Sequence, residues 1–148
     1  MVSYTGEQAA SIAAIEQLVT IWADVLDQDN GLDKTRGVGF LADDCRYNVA
    51  GKWREGRDEI VEFYATRRAG LGAGLPVIRH TVSNFRISFN GADSAKMNFL
   101  LLYFADNAGG NPADPLAVAD CRMEFRRDPQ GDWLISQFDS EQVIKRHG

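Results

Sequence analysis

The sequence predicts an α+β domain in which helices cover one face of a curved, mostly antiparallel sheet. Three observations lead there. Apart from one short hairpin, helical periodicity dominates from Thr5 to Arg68, and period-two alternation dominates from Val77 to Phe138. Hairpin and loop signals, not helices, join the later strands. Helices first and strands afterwards describe segregated layers rather than repeated βαβ units. At 148 residues the chain is expected to form a single domain, residues 1–148, of a size that needs no metal or disulfide staple.

The elements follow in order. Thr5 and Gln8 have capping-box spacing and open a long helix. Ile12, Ile15, Leu18, Val19, Trp22, Val25 and Leu26 give it one apolar stripe, which fades at "LDQDNG", where Asn30-Gly31 supplies the stop. A weaker second helix is expected over "LDKTRGVGFLADD", despite Gly37 and Gly39. "CRYNVAGKWREG" reads as two short strands around a turn at Gly51. "RDEIVEFYATRR" is a third helix, with Ile60, Phe63, Tyr64 and Arg67 on one side, ended by the glycine-rich "AGLGAGLP". Val77–Phe89 runs into "NGAD", a strong hairpin signal, and Ala95–Phe104 pairs back. After the polar loop "DNAGGNPADP", Leu116–Arg127 and Trp133–Phe138 are strands joined by the turn "DPQGD".

Composition removes several functions. A net charge of −5 and the lack of a Lys/Arg stripe argue against nucleic acid, whose phosphates need a basic face. The start "MVSYTGEQ" has no basic segment leading into an apolar one, and the longest apolar run, "FLLLYFA", is far short of a bilayer span. A cytoplasmic protein with no membrane partner is expected. Cys45 and Cys121 belong to no CxxC or CxxH pattern and read as buried free thiols. With one internal histidine and no spaced cysteine pair, no metal site is expected, and without GxGxxG or GKS/T no nucleotide cofactor is either.

The strand "VIRHTVSNFRISF" poses the functional question. Ile78, His80 and Val82 share one side of the pleat, whereas Phe85, Ile87 and Phe89 share the other register. The apolar face therefore changes parity near Ser83–Asn84, which implies a β-bulge. Bulges bend sheets and re-aim side chains beside binding sites. A bent sheet half-wrapped by helices encloses a cavity, and His80 would face it.

The pieces "AAIEQLVTIWADVLDQDN", "FLADDCRYNVAG", "REGRDEIVEFY", "RHTVSNFRISFNGADSAKMNF" and "FRRDPQGDWLISQF" together resemble the SnoaL-like branch of the nuclear transport factor 2-like (cystatin-like) superfamily. That resemblance covers nearly the whole chain. It implies a conical cup: a strongly curved sheet wrapped around a long N-terminal helix and two shorter ones, with a pocket at the open end. In pattern the chain resembles the hexachlorocyclohexane dehydrochlorinases and scytalone dehydratases, cofactor-free lyases that use a histidine of this strand as base. The resemblance places that histidine at His80 and its orienting aspartate at Asp27. A lysine of the dehydrochlorinase helix falls near Trp22 here, and the phenolic pair of scytalone dehydratase has at most one counterpart, Tyr47. "RHTVSNFRI" also resembles the β subunit of ring-hydroxylating dioxygenases, in which the cup is mainly structural.

Imidazole suits general-base work because its ordinary pKa of ~6.5 lies near working pH, and a carboxylate on Nδ1 fixes its tautomer. The resemblance thus implies a lyase or isomerase acting on a small apolar or aromatic ligand with an acidified C–H. The residues alone describe a partly buried histidine bonded to a backbone carbonyl. Asp27 falls outside the apolar stripe, so periodicity alone does not choose among Asp24, Asp27 and Asp29. Trp22, Tyr47, Trp53, Tyr64 and Phe104 are candidates for the pocket wall, although most aromatics at such spacing are core. Asn84, beside the inferred bulge, either orients substrate or satisfies local backbone. Asp120 and Arg122 either enter the cup, where Arg122 would hold an anionic or carbonyl group, or belong with Glu124 and Arg126 to a solvated face. Large apolar residues on both faces of "FLLLYF" lead to the expectation of a homo-oligomer, a dimer before a trimer.

Overall fold

The computed structural model describes residues 2–36, 38–107, 111 and 113–145. Helix α1 spans Gly6–Asp29. Its capping box is formed: Gln8 N–H donates to the Thr5 hydroxyl at 3.1 Å, and the Gln8 side chain accepts the Thr5 N–H at 3.0 Å. Asn30 ends it in the left-handed region at φ 50° and ψ 42°. By length and hydropathy α1 would suit a membrane span. Its apolar face instead packs on the sheet, burying Ile15, Val19, Trp22, Ala23, Val25 and Leu26.

Strands β1 (Leu41–Val49) and β2 (Lys52–Glu55) form a hairpin whose turn residues, Ala50 and Gly51, both have positive φ. Helix α2 covers Gly56–Leu71. Strands β3 (Ile78–Phe89), β4 (Ser94–Ala105), β5 (Ala117–Arg127) and β6 (Trp133–Lys145) follow. The sheet order is β2-β1-β6-β5-β4-β3, antiparallel except where β1 meets β6, and it is open, with β2 and β3 at its edges.

Two expectations need correction. The second short helix is not formed: Val38–Phe40 is a single 3₁₀ turn, and Leu41 onward is already β1. Glycine weakens a helix there, while Leu41, Ala42 and Cys45 gain complete burial as strand residues. The last strand also runs seven residues past Phe138, to Lys145. β1 pairs with β6 only as far as Asp139, and beyond it pairing with β5 holds a polar stretch that lacks an apolar pattern.

The parity change in β3 is a bulge. Pairing with β4 shifts between Ser83 and Arg86, and Asn84 takes φ 59°. Register shifts also interrupt the β1–β6 and β5–β6 pairings. Each adds local bend, so the sheet curves toward the face that α1 and α2 cover.

Candidate functional site

The site begins at the edge of the sheet. β3 has a strand neighbour on one side only, so some of its N–H groups need other acceptors. Asp27, in the last turn of α1, supplies one: its two carboxylate oxygens lie 2.9 and 3.2 Å from the His80 N–H. The same carboxylate reaches the imidazole, with Nδ1 2.7 Å from Oδ1. Contact with an edge strand explains why a residue off the apolar stripe is only 11% exposed, beside a histidine side chain that is 14% exposed. Of the three aspartates in question, Asp24 accepts from Gln28 and Asp29 pairs with Arg36, leaving Asp27 on the histidine.

A carboxylate accepts, so Nδ1 carries the proton of this contact; in the neutral ring that leaves the lone pair on Nε2. His80 borders a cleft of about 950 Å³ between the two helices and the sheet. Its ring neighbours Tyr103, with centroids 4.9 Å apart and planes at 32°, and Trp22, with centroids 6.5 Å apart. Tyr103 is its cross-strand partner on β4. The rest of the wall mixes apolar side chains, including Leu26, Phe63, Ile78, Leu101 and Phe138, with polar ones such as Asn30, Asn48, Asp139, Glu141 and Lys145.

A hydrogen-bonded aromatic chain runs through the floor. Trp22 Nε1 donates to the Tyr47 hydroxyl at 3.1 Å, which lies 2.6 Å from the Tyr64 hydroxyl. Burial holds the Tyr64 phenol at about 12 and pushes Tyr47 well above the ordinary phenol range, so both stay protonated at neutral pH. Gly31, at φ 135°, permits this approach, because a Cβ there would lie 2.7 Å from a Tyr64 ring carbon.

Of the other sequence candidates, Trp22, Trp53 and Tyr64 border the cleft. Tyr47 stands behind the wall, fully buried and hydrogen-bonded to Tyr64. Three residues are corrected. Asn84 is exposed and away from the cleft, serving as the left-handed residue of the bulge. Phe104 follows Tyr103, so alternation turns it to the opposite face. Asp120 is exposed on that same outer face, opposed to Ala119 and Cys121. Arg122 borders only the cleft's outer rim, where Asp139 holds it at 3.0 Å. The sequence did not single out Tyr103. The signal was its parity with Phe99 and Leu101, both on the buried face.

Cys45 and Cys121 are buried free thiols, which desolvation pushes up to about 12. Among the described residues no three His, Cys, Asp or Glu side chains come together as a metal site.

An open six-stranded sheet with a long helix packed on it defines a mixed α+β protein with a cystatin-like fold. The profile of the SnoaL-like domain matches residues 7–139, and the chain belongs to that family. No curated protein matches it by sequence. Among solved structures, a hexachlorocyclohexane dehydrochlorinase from Novosphingobium barchaimii is similar, with a TM-score of 0.75 at 20% identity, covering 93% of this chain and 90% of that one. A putative scytalone dehydratase from Novosphingobium aromaticivorans gives 0.71 at 16% identity over 98% and 93% of the two chains. A cystatin-like protein of unknown function from Nostoc punctiforme gives 0.73 at 19% identity over 95% of each. At these identities the likeness shows the fold.

Proposed function

We propose that this protein is a cofactor-free lyase or isomerase in which His80 removes a proton from a small apolar or aromatic substrate and Asp27 orients it. The observation that carries this reading is the 2.7 Å contact between His80 Nδ1 and Asp27, beside a cleft that His80 borders. Asp27 fixes the tautomer and would stabilise the imidazolium formed when Nε2 takes the proton. The structurally similar proteins carry the names of elimination reactions, a dehydrochlorinase and a putative dehydratase, which supports the reaction class.

A second reading has its own observation. Asp27 also binds the His80 backbone N–H, which is a purely structural duty. On that reading the cup binds a ligand without transforming it, or serves as a subunit like the dioxygenase β chain. Incubating the protein in deuterium oxide with a panel of carbon acids separates the two. Mass spectrometry should show deuterium entering one compound class with wild type and not with His80→Ala. Ligand binding without exchange across the panel would favour the binding module.

We also infer a homo-oligomer, a dimer before a trimer. The outer sheet face carries Leu100, Leu102 and Phe104, half-buried in the isolated chain, and Ile144 at 62% exposure. Two buried free thiols fit a cytoplasmic setting.

A further inference from the structure

The mouth of the cleft holds a cation that the fold does not neutralise. Arg67, on the face of α2 that also carries Tyr64, borders the cleft. Its Nη2 donates to the Tyr103 hydroxyl at 3.3 Å, and its guanidinium lies 5.7 Å from that ring's centroid. Among the described residues no carboxylate forms an ion pair with it, nor with Arg68, Arg79 or Arg86, which lie outside the cleft lining, whereas Arg36, Arg46, Arg57, Arg122, Arg126 and Arg127 each have one. Nearby Arg54 is satisfied differently, by the carbonyls of Val49 and Lys52. Lys145 also borders the mouth without a carboxylate partner, but no contact ties it to the rings beside His80.

Tyr103 receives a hydrogen bond from Arg67, which leaves its own hydroxyl proton to donate elsewhere. Its ring lies beside the imidazole, so an unpaired guanidinium, a phenol donor and a base with a free Nε2 converge on one side of the cleft. Arg67 is exposed at the mouth, so its charge acts on a bound oxygen through a direct charge-assisted hydrogen bond rather than across a dry wall.

We propose that Arg67 and Tyr103 form an oxyanion-binding pair, so that the substrate is a carbonyl compound deprotonated at the carbon beside its C=O. This rests on His80 being the base. His80 Nε2 takes the α-proton, breaking C–H and forming N–H. The C–H electron pair becomes a C=C bond, and the carbonyl π pair moves onto oxygen, which faces Arg67 and Tyr103 as an enolate. The imidazolium then returns the proton either to another carbon, which isomerises the substrate, or to a β-hydroxyl that leaves as water. Each route balances without an oxidant or a cofactor. A simple haloalkane has no oxygen for this pair.

The test uses binding, so it does not depend on turnover. The probes are 4-nitrophenolate, an enolate-like anion, and its neutral isostere 4-nitrotoluene, titrated calorimetrically at mildly alkaline pH. Wild type should prefer the anion by about tenfold or more, the size of one charge-assisted hydrogen bond. Arg67→Gln should abolish the preference, Arg67→Lys should restore part of it, and Tyr103→Phe should reduce it. His80→Ala and Lys145→Gln should keep it. Equal affinity of wild type for both probes, a preference unchanged in folded Arg67→Gln, or one lost only in Lys145→Gln would overturn the assignment. If the preference follows Arg67 but His80→Ala retains deuterium exchange, the oxyanion pair stands and the base assignment fails. The converse result removes the pair and leaves the base.

Discussion

His80 is held by a single carboxylate at two points, and each point makes a different prediction. Through Nδ1, Asp27 sets which ring nitrogen faces the cleft. Asp27→Asn should therefore lower kcat about 10²–10⁴-fold, because an amide neither stabilises imidazolium nor enforces the tautomer. Through the backbone N–H it closes an edge strand, so the same variant should also lose about 1 kcal/mol in urea unfolding. His80→Ala should abolish turnover and keep the fold. A variant that merely melts earlier while retaining full turnover would make His80 a packing residue. The legibility of these two residues differed. Parity along β3 pointed His80 at the concave side, whereas Asp27 came only through family resemblance, since its stripe position suggested solvent. What hid it was tertiary: an edge strand crossing the flank of α1 is not written in helical periodicity.

At the scale of elements, local signals performed well where local chemistry decides. The capping box, the Asn30 stop, the hairpin at Gly51 and the bulge at Asn84 each follow from residues within a few positions. The weak helix after Gly31 failed because Leu41, Ala42 and Cys45 are buried by partners remote in sequence. The parallel contact between β1 and β6 and the length of β6 were hidden for the same reason. The bulge yields a clean test. Asn84 sits at φ 59°, so Asn84→Val should cost about 1–2 kcal/mol, while Asn84→Gly should stay within about 1 kcal/mol of wild type. Denaturant midpoints of the two variants decide it, and equal losses would show that the side chain, not the backbone, matters there.

For the whole molecule, the buried acids set an alkaline limit. Burial raises Cys45 and Cys121 from 9.0 to about 12 and Tyr64 from 10.0 to about 12. The folded state therefore holds protons that the unfolded chain releases above pH 9. Stability from these groups is complete below that pH and declines as pH climbs toward 12. Melting temperature should fall progressively over that range, and both thiols should resist thiol reagents until the protein unfolds. A flat alkaline profile would mean the core opens readily to water. The outer sheet face makes a separate prediction about assembly. Light scattering should give a multiple of 16.4 kDa, and Phe104→Glu should shift it toward the monomer. A wild-type monomer at high concentration would leave that face without its proposed role.

The proposed base requires a neutral His80 with its proton on Nδ1 and its lone pair on Nε2 facing the cleft. Long-range ¹⁵N–¹H correlation NMR of histidine-labelled protein reads this directly, with His80 assigned by its loss in His80→Ala. At mildly alkaline pH the spectrum should show the Nδ1–H tautomer in wild type, and that preference should weaken in Asp27→Asn. An Nε2–H tautomer in wild type would place a donor where the mechanism needs an acceptor, and it would contradict the account.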